Sequence, residues 1–281
     1  MIRGDEKDST ILQHHCSVLA SSIQAAGQSF TSGRLVQRTY LDLLRRIWCI
    51  MSGITMHLDH WPDQMELKLP ISLAFRTALT DALTGLYLAT FHEHEEAFQH
   101  ELMVMDLDYY KYVKTIFENT ALEMPEADPA AVEQEIAIRM AELSRKAEHL
   151  LQVPGGSQLK KPEMLREARH YGLFPSHGGH TKQLTEKEMF NHIKAHPDTA
   201  HMAYMYLVQR HLSQQHHYAP GNRDFIELPP AYECRNWFLA LAYITDISGA
   251  LMAMLGVNQP IRQVLGESQA TLLAILAERT H

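Results

Sequence analysis

Apolar residues recur at steps of three and four along almost the whole chain, the spacing of one helical face, and no stretch alternates long enough to read as a strand. Leu12, Cys16, Leu19, Ile23, Ala26 and Phe30 form one such seam and predict a helix from about Ser9 to Phe30. A second helix begins near Leu35. Leu41, Leu44, Trp48, Met51 and Ile54 lie on one side of it, and Leu43, Ile47 and Ile50 widen the stripe until little polar surface is left, which marks a central helix. Trp61-Pro62-Asp63 interrupts the pattern. Pro70, tolerated in a first turn, opens a third helix through Leu79, Leu83, Leu86 and Phe91 that the pattern carries past His100.

Tyr109 to Leu122 reads as a shorter aromatic-rich helix. Asp128-Pro129 then supplies a capping side chain and a proline for a segment in which Val132, Ile136, Met140 and Leu143 keep period. Pro154-Gly155-Gly156-Ser157 ends it. The stretch rich in Gly, Pro and Lys at about 152–183 reads as an irregular insertion within one helical domain covering 1–281. Thr185 with Glu188 three residues on makes a capping box for a short helix that stops at His196-Pro197. Asp198 is expected to cap a helix reaching about His217 that buries Leu207, Val208 and Leu212. Helices from Ala231 to Leu255 and from Pro260 to Glu278 complete an all-α fold, a multi-helix bundle of eight to ten helices.

Composition narrows the classes of function. The 281 residues include only 14 Gly and 12 Pro, too few for a many-turned β chain, and 46% are apolar, enough for a sizeable core. A net charge of −8 excludes a strong global pull toward phosphate backbones or anionic lipid and leaves only a local basic patch. Cys16, Cys49 and Cys234 lie far apart without CxxC spacing, which points to a reducing compartment rather than to disulfides or a zinc ribbon. The charged first residues lack the apolar core of a secretory signal, so a cytoplasmic location is expected. Trp237 to Val257 is apolar enough to imitate a membrane span. Asp246 at its centre would cost about 2.5–3.5 kcal/mol in lipid, so the segment reads as a buried helix of a soluble protein with no membrane partner.

Eighteen histidines bring metal binding into view. His92, Glu96 and His100, four apart, would share a face of a continuous helix and could hold zinc, against the plainer reading of an exposed polar face. A ferritin-like site needs two Glu-x-x-His motifs, and only Glu167 to His170 has that spacing. The His-Glu-x-x-His of a metalloprotease is absent, His177 and His180 read as a loop pair, and no cofactor is called for. Tyr109, Tyr110 and Tyr112 with Lys111 and Lys114 could stack single-stranded nucleic acid, but read more simply as packing against neighbouring helices.

Tyr206, Arg210, Ser213 and His217 fall at steps of four, three and four, a polar row along one helix. A partly buried Arg210 would need a carboxylate, phosphate or carbonyl partner, and Asp81 is the one the sequence offers. Arg76 and Asp81 stand among apolar neighbours and have to be paired within the protein or with a ligand. The plainer reading of the row is a set of polar side chains that fixes helix register.

The segment from Ile71 to Leu88, with Arg76, Asp81 and the closing Tyr87-Leu88, resembles the arginine-and-acid helix of a group of uncharacterised helical bacterial proteins. Tyr204 to His217, with Leu212-Ser213 and the final histidines, resembles the Tyr, Leu-Ser and His signature of the same group. Related helical folds include the HEPN superfamily, and Arg210-His211-Leu-Ser-Gln-Gln-His216-His217 is similar to the arginine-and-histidine motif of its ribonucleases. That resemblance implies a nucleic-acid-binding protein or ribonuclease of bacterial defence or stress response, with RNA as partner and a second copy of the chain completing a homodimer. Arg210 would neutralise a phosphate, and His217 or His216 would act as general acid or base, His217 lying on the same helical face. Tyr206, Ser213, Arg76 and Asp81 would bind substrate or hold the row in place. Two alternatives stay open: a non-catalytic interaction protein with a structural polar row, and a metal-dependent enzyme built on His92, Glu96 and His100.

Overall fold

The computed structural model describes residues 4–28, 30, 33–61, 63–146, 184–202, 204–214 and 230–278. Among them are nine α-helices and no strand: α1 (Gly4–Gln28), α2 (Leu35–Leu58), α3 (Lys68–Ala89), α4 (Glu95–Glu118), α5 (Pro129–Lys146), α6 (Glu186–Ala195), α7 (Met205–Ser213), α8 (Pro230–Met254) and α9 (Gln259–Glu278). The all-α multi-helix fold read from the three-and-four spacing is therefore present. The chain divides into two compact units, Met1–Thr90 with Thr185–His281, and Phe91–Leu184. The insertion read at 152–183 lies outside the described residues.

In the first unit α8 packs against α1, α2, α3, α7 and α9. Its stripe is wide enough for this: Trp237, Phe238, Leu241, Ile244, Ile247 and Leu251 are all fully buried, and each such side chain contributes about 1.5–3 kcal/mol. The stretch Tyr232–Met254 is, among the described residues, the one helix long and apolar enough to cross a membrane, and 61% of its most apolar window is buried within the protein. Asp246 is half-buried there. Burial pushes its carboxyl up from the usual range, while a hydrogen bond with Gln269 of α9 and the charge of His201 pull it back down.

α3 is the second organising helix, in contact with α2, α6, α7 and α8. Gly85 permits the approach of α8, because a Cβ there would stand 2.8 Å from Leu251 Cδ1. Near the start of both helices, Trp237 Nε1 donates to Ser72 Oγ at 2.9 Å, and Trp61 meets the same indole edge-on at 5.1 Å. Lys68 and Glu233 are both buried, 3.8 Å apart. Burial lowers the Lys68 ammonium from its ordinary pKa, with Glu233 opposing the shift. The turn after α8 holds Gly256, whose φ of 73° favours glycine. The Gly256 N–H donates to Ala253 and the Val257 N–H to Met252, both at 3.0 Å, and the Val257 and Met252 side chains are buried beneath an exposed Gly256.

In the second unit α4 packs against α5. Asp128 caps α5 as its sequence suggests, accepting from the Ala130 N–H at 3.3 Å. Arg139 donates to Glu123 at 2.7 Å and to Glu135 at 2.8 Å, with its guanidinium 5.7 Å above the Phe117 ring. The third helix does not run past His100. Thr90 turns its hydroxyl back onto the Tyr87 carbonyl at 2.7 Å, the chain makes a turn over 91–93, and a new helix starts at Glu95. The helix expected from Tyr109 to Leu122 is the later part of that α4 as far as Glu118, where α4 ends, and a separate single turn follows at Thr120–Leu122.

Candidate functional site

The late polar row belongs to a shorter helix than its spacing suggested. Instead of one helix from Asp198 to His217, a 3-10 turn forms at Ala200–Met202 and α7 begins at Met205. The Thr199 hydroxyl donates to the Ile193 carbonyl at 2.9 Å and holds this turn against the end of α6. Met205, Val208 and Leu212 are buried, but Leu207 is 57% exposed. Its expected place in the buried arc is taken by Gln209, which is 1% exposed.

Around Gln209 three helices bring polar groups together. Ser213, one turn further along α7, donates to the Gln209 carbonyl at 2.8 Å and accepts from Arg76 Nε of α3 at 2.8 Å. Gln209 Nε2 donates to Glu186 Oε2 at 2.7 Å and to Thr80 Oγ1 at 3.3 Å. The carboxylate of Glu186, in the first turn of α6, also accepts from the Thr80 hydroxyl at 3.3 Å and lies 3.7 Å from Arg76 Nη2. Among the described residues, no hydrogen-bond partner reaches the buried Gln209 Oε1. The amide cannot be turned over, since that would set oxygen against the Glu186 carboxylate. Arg76 and Glu186 keep 24% and 28% of their side-chain surface exposed, so the cluster reaches the surface at these two groups.

Arg76 and Ser213, two residues singled out from the sequence, are thus brought into contact. The others are placed apart. Asp81 does not neutralise Arg210; it is held by Arg46 of α2 in two parallel hydrogen bonds of 3.0 Å. Asp81 lies one helical turn and a residue beyond Arg76, which turns it toward α2 instead of α7. Arg210 is exposed on the outer side of α7. Tyr206 stacks on Phe190 of α6, ring centroids 4.4 Å apart. His211 is 3.0 Å from Asn236 Nδ2 and edge-on to Tyr232 of α8 at 5.8 Å. His216 and His217 lie outside the described residues, as do Glu167, His170, His177 and His180.

The metal reading loses its geometric basis. His92 sits in the turn before α4 and so does not share a helical face with Glu96 and His100; Glu96 is exposed and His100 is buried. Among the described residues no group of three or more metal-ligating side chains comes together. The tyrosines depart from the packing expectation: Tyr109 and Tyr112 are 60% and 63% exposed. Lys114 beside them is engaged by Glu118 at 2.6 Å.

Thr80, Glu186 and Gln209 were not singled out from the sequence. Gln209 carried a signal, a polar residue four before Ser213 on the arc that Met205 and Leu212 bury. Chemically, the cluster balances a cation and fixes three helices to one another. It does not activate Ser213 as a nucleophile, because the serine's partners are a carbonyl and a guanidinium, neither of which takes up a proton at neutral pH. Compared with known proteins, the chain matches no family model, no curated protein and no solved structure.

Proposed function

We propose that this chain is a non-catalytic helical interaction protein in which the polar row is structural. The observation that carries the reading is the Ser213 hydroxyl, buried between the Gln209 carbonyl and Arg76 Nε, with Glu186 as the nearby counter-charge of that arginine. A side chain used in this way fastens α7 to α3 and offers nothing to a substrate. A HEPN-like ribonuclease or RNA-binding role is the second reading, favoured by one feature: Arg210 projects from α7 into solvent, where a phosphate could reach it. Incubating the purified protein with labelled mixed-sequence RNA separates the two. The interaction-protein reading expects neither cleavage nor binding. Cleavage by the wild type that Arg210→Ala and His217→Ala each abolish, with melting temperature unchanged, would replace it with the ribonuclease.

A further inference from the structure

The outer face of α2 gathers arginine in a chain whose net charge is −8. At the helical turn of 100° per residue, Arg38, Arg45, Cys49 and Met56 fall within about 40° of one another, and all four are exposed. Arg34 precedes the first turn, Arg46 flanks the row, and Leu35 and Met56 set exposed apolar side chains toward its two ends. From Arg38 to Met56 the row is about 27 Å long. Among the described residues of the first unit, little neutralises it. Arg38 Nε donates to the Gly33 carbonyl at 3.0 Å. Arg45 meets Asp42 at 3.3 Å, in a pair whose members are 61% and 70% exposed and which is therefore weak in water. α1 packs against α2 and carries no Asp, Glu, Lys or Arg after Asp8. α3 contributes one acid, Asp81, already held by Arg46, and the acids of α8, Glu233 and Asp246, turn to Lys68 and Gln269.

We infer that this face docks an acidic amphipathic helix of a partner protein, whose carboxylates meet Arg34, Arg38 and Arg45 and whose apolar side chains meet Leu35 and Met56. The inference rests on the reading of the chain as an interaction protein and names the chemistry of its partner. A guanidinium presents two parallel N–H groups to a carboxylate. Carboxylates at steps of four and seven along a helix match the spacing of the three arginines. Nucleic acid fits this face less well. Among its described residues no aromatic side chain is exposed, so bases find no ring to stack on. A phosphate backbone repeats its negative charge without a break and would meet Asp42, where a peptide can place a neutral or basic side chain.

Fluorescence anisotropy on the full chain tests this. The probe is a labelled helical peptide of about 20 residues, long enough to span the row, with Glu and Leu at steps of three and four. Arg38→Ala combined with Arg45→Ala is expected to weaken binding about fivefold or more, and replacing the probe's Glu by Gln to weaken it at least as much. Arg235→Ala, at an exposed arginine of α8, is expected to leave it within about twofold. Should the double variant fail to fold, Arg45→Gln alone reads the same contact. A probe that does not bind, or that binds wild type and double variant equally, overturns the inference and leaves the interaction-protein reading in place. Assignment of the face to another occupant overturns it too: a wild-type dimer that the double variant dissolves, or tighter binding of a single-stranded RNA of equal charge that the double variant loses. RNA cleavage that Arg210→Ala and His217→Ala each abolish overturns the interaction-protein reading itself, and this inference with it.

Discussion

Removing Arg46 gives a sharp test of how charge is managed in the first unit. Asp81 stands on α3 with 9% of its side-chain surface exposed, and both its oxygens accept from Arg46 at 3.0 Å. Burial pushes its carboxyl above the ordinary value of 3.8, and the Arg46 hydrogen bonds and charge pull the other way without restoring it. A carboxyl raised in the folded state favours folding when protonated. Its contribution is full below the ordinary carboxylate range and is lost as pH rises through the folded-state value. Arg46→Ala removes the opposing partner. At pH 7 it leaves a buried, ionised carboxylate with two unpaired oxygens, at a cost of about 1–3 kcal/mol. Arg46 is 64% exposed, which places the loss toward the lower end of that range. At pH 4 the abandoned carboxyl can take up a proton, and the loss falls below about 1 kcal/mol. Urea unfolding of wild type and variant at both pH values measures the difference. Asp81→Asn in the Arg46→Ala background should recover part of the pH 7 loss by removing the stranded charge. An Arg46→Ala penalty that is equal at the two pH values, with no recovery from Asp81→Asn, would refute the reasoning.

Three further outcomes are expected. His15 is buried on α1 with Nδ1 2.7 Å from Ser268 Oγ of α9, and burial together with neighbouring His14 lowers its pKa from 6.5; the unfolded chain therefore takes up this proton first, and stability that is full above about 6.5 falls as pH drops below it. His15→Gln should flatten the decline of melting temperature between pH 7.5 and 5, and an unchanged decline would assign it to other groups. Gly256→Ala places a side chain at positive φ and should cost about 1 kcal/mol in a urea titration, whereas an unchanged midpoint would show that the turn after α8 adjusts freely. Ser72→Ala strands the Trp237 indole N–H in the core and should lower stability by about 1–3 kcal/mol, with a shift in tryptophan fluorescence; wild-type values for both would contradict the burial of that pair.

Local rules reached the ends of elements more reliably than they reached partners. The Thr185 and Glu188 capping box, the Asp128 cap, the stop at His196-Pro197 and the terminal helix from 259–260 to Glu278 all depend on neighbouring residues and could be read from order alone. The break after α3 was hidden, because Phe91 continues the apolar period while Thr90 ends the helix by bonding backward. At the site, periodicity placed Ser213 and Arg76 in polar roles but could not say which helices would meet. The Arg46 partner of Asp81 comes from α2 and the Glu186 partner of Arg76 from α6, pairings that depend on how helices distant in sequence pack. Leu207, expected to be buried, is exposed, and Gln209 is buried, for a related reason. Hydrophobicity ranks leucine inward, but Gln209 reaches both Thr80 and Glu186, and those hydrogen bonds offset the burial of its amide.

The coupling energy between Arg76 and Ser213 tests the central claim most directly, namely that Ser213 fastens α7 to α3. A double-mutant cycle with Arg76→Ala, Ser213→Ala and the double variant, followed by urea unfolding of the full chain, isolates it. The account predicts a favourable coupling of about 1 kcal/mol or more. Losses that simply add, to within about 0.5 kcal/mol, would contradict it.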